Sequence, residues 1–125
     1  MPQLVVLAAF LGLLLTIAGA VGAHVIGADD PSWNSAMLFG FVHTLAALVA
    51  AALPLAGRLK LAAGWAFLAG VLLFSFALIA RSGVRSLAAG DPASWLAMSA
   101  PVGGLSFMAG WLLLALAGLR ALKAY

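Results

Sequence analysis

Between Lys60 and Arg81 the chain reads LAAGWAFLAGVLLFSFALIA (residues 61–80), twenty residues without a formal charge and with a single hydroxyl, Ser75. A helix of that length rises about 30 Å, which matches the hydrocarbon thickness of a bilayer. The same kind of stretch recurs on either side. The nine charged residues of the 125-residue chain fall in four small groups, Asp29/Asp30, Arg58/Lys60, Arg81/Arg85/Asp91 and Arg120/Lys123. The apolar runs between them, about 4–25, 34–54, 61–80 and 96–119, each reach the length of a membrane span. The pattern predicts an all-α polytopic membrane protein, with four transmembrane helices in a compact bundle and a single integral membrane domain over residues 1–125.

Composition agrees. The chain is 66% hydrophobic and 7% charged, far from the roughly 25% charged residues of soluble domains. Four spans leave no room for an extramembrane domain. The six Lys and Arg stand singly or in pairs at span ends, so they predict contact with anionic lipid headgroups and no nucleic-acid partner, which would need a basic stripe. With no cysteine, disulfides, thiolate metal sites and redox pairs are excluded. Ala18-Gly19-Ala20 and Val21-Gly22-Ala23 resemble signal-peptide cleavage sites. The apolar run is too long and lacks a preceding cation, so the segment reads as a retained helix.

Four spans place both termini on one side with the loop between spans two and three. That side carries Arg58, Lys60, Arg120 and Lys123, against Arg81 and Arg85 on the other. The basic excess predicts cytoplasmic termini in a bacterial inner membrane. Trp33, Trp65, Trp95 and Tyr125 fall at span ends, suited to the headgroup layer. Trp111 differs: it lies inside span four, in the bundle or against acyl chains.

Ala8, Gly12, Thr16 and Ala20 recur every four residues in span one, with Gly19 and Ala23 on a neighbouring face. Small residues let helices approach closely in lipid, which predicts span one as the tightly packed centre. Ala62, Ala66 and Gly70 repeat the device in span three. Asp29-Asp30-Pro31-Ser32 reads as a turn. Residues 82–94 form a longer loop with room for a short interfacial helix over residues 84–89. Pro101-Val102-Gly103-Gly104 predicts a kinked or partly unwound start to span four.

No charged residue lies within a span, which removes carboxylate relays and voltage sensing. The titratable candidates are His24 and His43. Depth counting brings His43, Ser75 and Pro101, Gly103 and Gly104 together in the outer half, with His24 nearer the rim. The functional readings are a ligand pocket, a solute path, or a histidine pair on haem or metal. The structural reading is that each histidine donates to a neighbouring helix's carbonyl and that Ser75 bonds back to its own helix. No nucleophile elbow, phosphate loop, paired carboxylates or zinc-protease helix is present. Catalytic residues, metal and cofactor are therefore all expected to be none.

Four signatures occur in order: Gly19 to His24 (GAVGAH), His43 to Ala46 (HTLA), Ala63 to Ser75 (AGWAFLAGVLLFS) and Pro101 to Trp111 (PVGGLSFMAGW). Together they resemble the small four-helix membrane family known as domain of unknown function 423, to which a small animal transmembrane protein is also related. The resemblance covers essentially the whole chain. It departs at Val21, where the family pattern has an aromatic, and at Val25-Ile26 after His24, where Gly-Leu is common. It implies a polytopic bacterial inner-membrane protein and raises interest in His24, His43, Ser75, Pro101, Gly103 and Gly104.

The leading expectation is a non-enzymatic membrane protein that acts through its helix faces, as an accessory subunit for a membrane-protein partner or as a homo-oligomer. The alternatives are a carrier or channel for a small solute or lipid, using the outer-half pocket, and a bis-histidine haem or metal protein.

Overall fold

The computed structural model describes residues 2–25, 30–88 and 94–123. In chain order these form α1 (Pro2–Val25), α2 (Pro31–Ala52), α3 (Leu59–Gly70), a π-helical segment (Val71–Phe76), α4 (Ala77–Ala88) and α5 (Ser94–Leu122). The segments from α3 to α4 join end to end into one helix, the outward helix, named for the direction that the charge pattern predicts for it. Four rods are thus long and apolar enough to cross a membrane, as the spacing of the charges predicts.

The ends follow from local chemistry. Pro31 opens α2, where its missing N–H costs nothing. Asp30 caps that helix, its Oδ1 accepting from the amides of Ser32 at 2.9 Å and Trp33 at 3.3 Å. At the other end Leu53 and Pro54 halt α2, and Lys60 Nζ donates to the Leu53 carbonyl. Gly57, at φ 90°, supplies the left-handed turn that other residues resist.

Neighbouring rods run antiparallel, and their contacts fix the register. Between α1 and α2, Leu15 meets Gly40, Gly12 meets Thr44 and Gly22 meets Trp33. Between the outward helix and α5, Phe67 meets Gly110 and Gly70 meets Phe107. The outward helix packs against α1, α2 and α5 and is the true centre. Leu4, Ala8, Leu11 and Leu15 of α1 join Ala47, Ala51, Phe67, Leu68, Val71 and Phe107 in the core.

Several expectations are corrected here. Span one is peripheral: 22% of its most apolar stretch is buried, as in α5, against 44% for α2 and for the outward helix. Its small-residue row only half packs. Ala8 is buried and Gly12 faces Thr44, whereas Thr16, Ala20 and Ala23 are exposed, and Thr16 Oγ1 bonds back to Gly12 O at 2.9 Å. Gly19 packs against Met37, whose Cε stands 3.1 Å from where a Cβ would be, and Ala23 is exposed. Gly22 makes the closest approach, because the Trp33 indole occupies the space its Cβ would need. Trp33 is therefore buried rather than resting among headgroups. In the outward helix Gly70 is buried but Ala62 is exposed.

The expected interfacial helix over residues 84–89 is instead the last turns of α4, which continues span three unbroken to Ala88. The rest of that loop, Asp29, the Trp95 side chain and Tyr125 lie outside the described residues. Unwinding at Pro101 to Gly104 is not found, since α5 is helical throughout. The departure from α geometry lies in the facing rod, at Val71–Phe76. There a Cβ on Gly103 would come within 2.5 Å of Phe74 N and 2.9 Å of the Leu73 carbonyl carbon. Backbone meets backbone at this point, and only glycine fits.

Candidate functional site

Rods two and four run in the same direction and flank the outward helix. The two do not close on each other. Side chains separate them, and they leave a groove of about 520 Å³ lined by Phe39, Val42, His43, Phe74, Pro101, Gly104, Leu105, Phe107, Met108 and Trp111. Leu105 and Met108 are among the most exposed apolar side chains. On a membrane-embedded surface such exposure faces lipid, so the groove opens sideways into the bilayer.

His43 stands at the groove's centre, near the middle of α2 and 4% exposed. Its ring stacks on Phe107 at 3.6 Å and 13°, and Phe39 lies stacked 5.8 Å from His43 and 6.1 Å from Phe107. Phe67 packs behind the lining, 5.6 Å from His43 and edge-on to Trp111 at 5.0 Å. Trp111 Nε1 donates to His43 Nε2 at 3.2 Å, while His43 Nδ1 lies 2.8 Å from Phe39 O. An indole nitrogen can only donate, so Nε2 accepts and the proton sits on Nδ1, pointing at Phe39 O. Both ring nitrogens are thereby occupied, and the imidazole is a neutral strut.

The structural role expected of His43 is altered in detail. Its donor bond goes to a carbonyl of its own helix, and the link to a neighbouring helix is made by Trp111. Of the six residues singled out by depth counting, His43, Pro101 and Gly104 line the groove. Gly103 lies behind them against Phe74. Ser75 is buried toward α2, against Gly40, does not line the groove, and its Oγ makes no bond back to its helix. His24 is exposed at the end of α1 and does not line the groove. The two histidines are therefore not brought together there, and among the described residues no three His, Cys, Asp or Glu side chains gather as a metal site would require.

Sequence reasoning missed Phe39, Phe67, Phe74 and Phe107. In a membrane span an aromatic facing the bundle and one facing lipid look alike. One signal was available: Trp111 is the tryptophan placed deep in a span, at a depth that lets it reach His43. A second interhelical bond, Ser106 Oγ to Ala66 O at 2.7 Å, ties α5 to α3 beside the groove. Neither partner was singled out for hydrogen bonding from sequence; Ala66 stood there only in the small-residue row.

At the start of α2 Asp30 is partly desolvated, which alone would raise its pKa. The Ser82 hydroxyl, the Trp33 and Ser32 amides and the Arg85 guanidinium outweigh this and hold it below the ordinary carboxylate range.

Comparison with known proteins follows the same lines. The model of the family "Protein of unknown function (DUF423)" matches residues 18–104, from the last turns of α1 to Gly104 in the groove. The UPF0382 membrane protein YwdK of Bacillus subtilis (strain 168) is 29% identical over 130 residues, covering 98% of this chain and all of that protein. No solved structure matches the chain. With more than half its length matched and all four rods in place, the chain belongs to the DUF423 family of membrane proteins.

Proposed function

We propose that this protein works without catalysis, by receiving an apolar body from the plane of the bilayer into the groove between α2 and α5. The observation that carries this reading is the groove itself: two same-direction helices held apart by a rigid aromatic layer, with the gap open to lipid. The leading occupant is the apolar face of another transmembrane helix, from a second copy or from a membrane-protein partner. The wall side chains, Leu105 and Met108 on α5 and Val42 on α2, project as knobs that would interdigitate with such a face.

A second reading is favoured by the groove's size and lining. At about 520 Å³ it falls within the range of small-molecule pockets, which are mostly apolar with a few fixed polar groups. A lipid or another bilayer-soluble molecule would fit that description. Lipid also suits the other end of the molecule. Arg120 and Lys123 border a recess of about 420 Å³ with Leu116 and Leu119, a pairing of cations with apolar wall that matches an anionic headgroup and its chain. This arrangement, with Arg58 and Lys60 on the same side, supports an inner-membrane orientation with both termini in the cytoplasm.

The test uses Gly104, which lines the groove and whose Cβ would meet nothing within 4 Å. Gly104→Phe fills the groove without disturbing the packing behind it. Wild type and variant are extracted mildly from native membranes and weighed by native mass spectrometry. Loss of an oligomer or a partner in the variant supports helix docking; loss of a small bound mass supports the ligand reading. A bare protomer in both samples would sink the proposal.

A further inference from the structure

The C-terminal end of α5 carries a cluster that the groove does not use. Arg120 and Lys123 border a recess of about 420 Å³ whose other described lining is Leu116 and Leu119. The spacing builds two short columns on one helix face. Leu116 lies one turn further into the span than Arg120, and Leu119 one turn further in than Lys123. The two cations are three residues apart, near enough for both to reach a single phosphate. Leu112 extends the first column by another turn, and Leu112, Leu116 and Leu119 are 63%, 41% and 55% exposed. A charged rim thus stands about 6 Å from an open apolar wall.

No acidic side chain of the protein lies near that rim. The chain has three, and Asp29 and Asp30 directly precede α2 while Asp91 stands just before α5. These two helices run in the same direction, so their starts belong to the other membrane face. From Ser94 to Arg120 α5 rises about 39 Å, several times the distance over which salt screens a charge. The pairs Phe67–Gly110 and Gly70–Phe107 bring the start of α3 level with Leu119, so Arg58 and Lys60 add to the positive field there. Cations near a helix C-terminus also suit its dipole. That role needs no leucine beside them, whereas the recess provides for a molecule with both an anionic and an apolar part.

We propose that this recess binds one anionic phospholipid, its phosphate between Arg120 and Lys123 and an acyl chain along Leu116 and Leu112. The Arg120 guanidinium offers a forked pair of donors to phosphate oxygens, and the Lys123 ammonium adds a point charge. The recess shares no described lining residue with the groove, so the site stands whichever body the groove receives. Leu112 is one turn from Met108 in the groove wall, and the lipid tail runs toward that opening.

The test titrates the protein in mild detergent with equal amounts of phosphatidylglycerol and phosphatidylcholine of the same acyl chains. Bound lipid is weighed by native mass spectrometry. Wild type should retain a single phosphatidylglycerol per protomer in preference to phosphatidylcholine. Arg120→Gln/Lys123→Gln should weaken that retention by at least about tenfold, from roughly fivefold for each cation lost at a membrane surface. Both side chains are exposed, so the variant keeps its fold. Arg58→Gln removes a cation from the same end but outside the recess, and should bind as wild type does. Inorganic phosphate in excess should leave the lipid in place, having no chain for the leucines to hold. Equal retention of the two lipids, or equal loss in Arg58→Gln and the double variant, would overturn the proposal in favour of a diffuse positive field. Displacement by phosphate would overturn the choice of a lipid. Loss in Gly104→Phe, with retention in the double variant, would move the lipid to the groove and overturn the site.

Discussion

The two sides of α5 are built on opposite principles. Toward the outward helix it carries Gly103 and Gly110, which approach the Phe74 backbone and the Phe67 ring so closely that no Cβ fits. Toward α2 it carries Phe107 and Trp111, which hold the neighbouring rod at a distance through stacked rings. In a membrane there is no water to expel, so helices associate through dispersion and hydrogen bonds. The glycine side gains by proximity. The aromatic side uses rigid rings to hold a gap open. The lesson is that a helix in lipid can set its two neighbours at different distances through residue size alone.

The largest expected effect breaks the glycine side. Gly103→Ala forces a methyl into the Phe74 backbone and should destabilise the protein by about 3 kcal/mol, the upper part of the usual range for overpacking. Unfolding in micelles would read it. An unchanged midpoint would show that the two rods are not in backbone contact. On the aromatic side, Trp111→Phe keeps a ring but removes the donor to His43 Nε2. A loss of about 1 kcal/mol is expected, together with a change in the His43 imidazole nitrogen shifts by NMR. Nitrogen shifts identical to wild type would refute the assigned bond.

Asp30 lies outside both faces of α5 and supplies a baseline. Asp30→Ala removes the α2 cap and should cost about 1 kcal/mol. Because the folded-state pKa is depressed, the carboxylate's contribution is complete above an unfolded pKa of about 4. It is lost as pH falls through the lower folded value. Stability of wild type should therefore decline toward acid more steeply than that of the alanine variant; parallel curves would contradict the capping role. The smallest effect is the sharpest contrast. Gly104→Ala, one residue from Gly103 but facing open space, should be neutral or stabilising by less than about 1 kcal/mol.

The spans were legible because charge cannot sit in hydrocarbon, and nine charged residues mark every boundary but the first. Which face of each helix turns inward was far less legible. Lipid and protein interior are equally apolar, so Phe107 in the groove and Phe10 on the lipid surface read the same in sequence. Small residues misled for a related reason. Alanine is everywhere in this chain, and Ala20 and Ala23 share their spacing with residues that do pack, yet are exposed. Depth was readable, and the structure brings His43, Pro101 and Gly104 to one groove. Azimuth was not: Ser75, grouped with them by depth, packs against Gly40 and does not line the groove. The π-helical segment shifts side-chain directions by a fraction of a turn, which no count of residues at regular spacing anticipates.

The outward helix has one further consequence. From Leu59 to Ala88 it extends about 45 Å, well beyond a hydrocarbon layer of about 30 Å, and its last turns carry Arg81, Ser82, Arg85 and Ser86. This rod cannot be shortened, so the bilayer must meet it by tilt or by local thickening. The polar cluster of Asp30, Ser82 and Arg85 rides on its C-terminal end. Membrane thickness thus becomes an input to the molecule: a thinner bilayer lifts that cluster clear of the headgroups, and a thicker one draws it down among them.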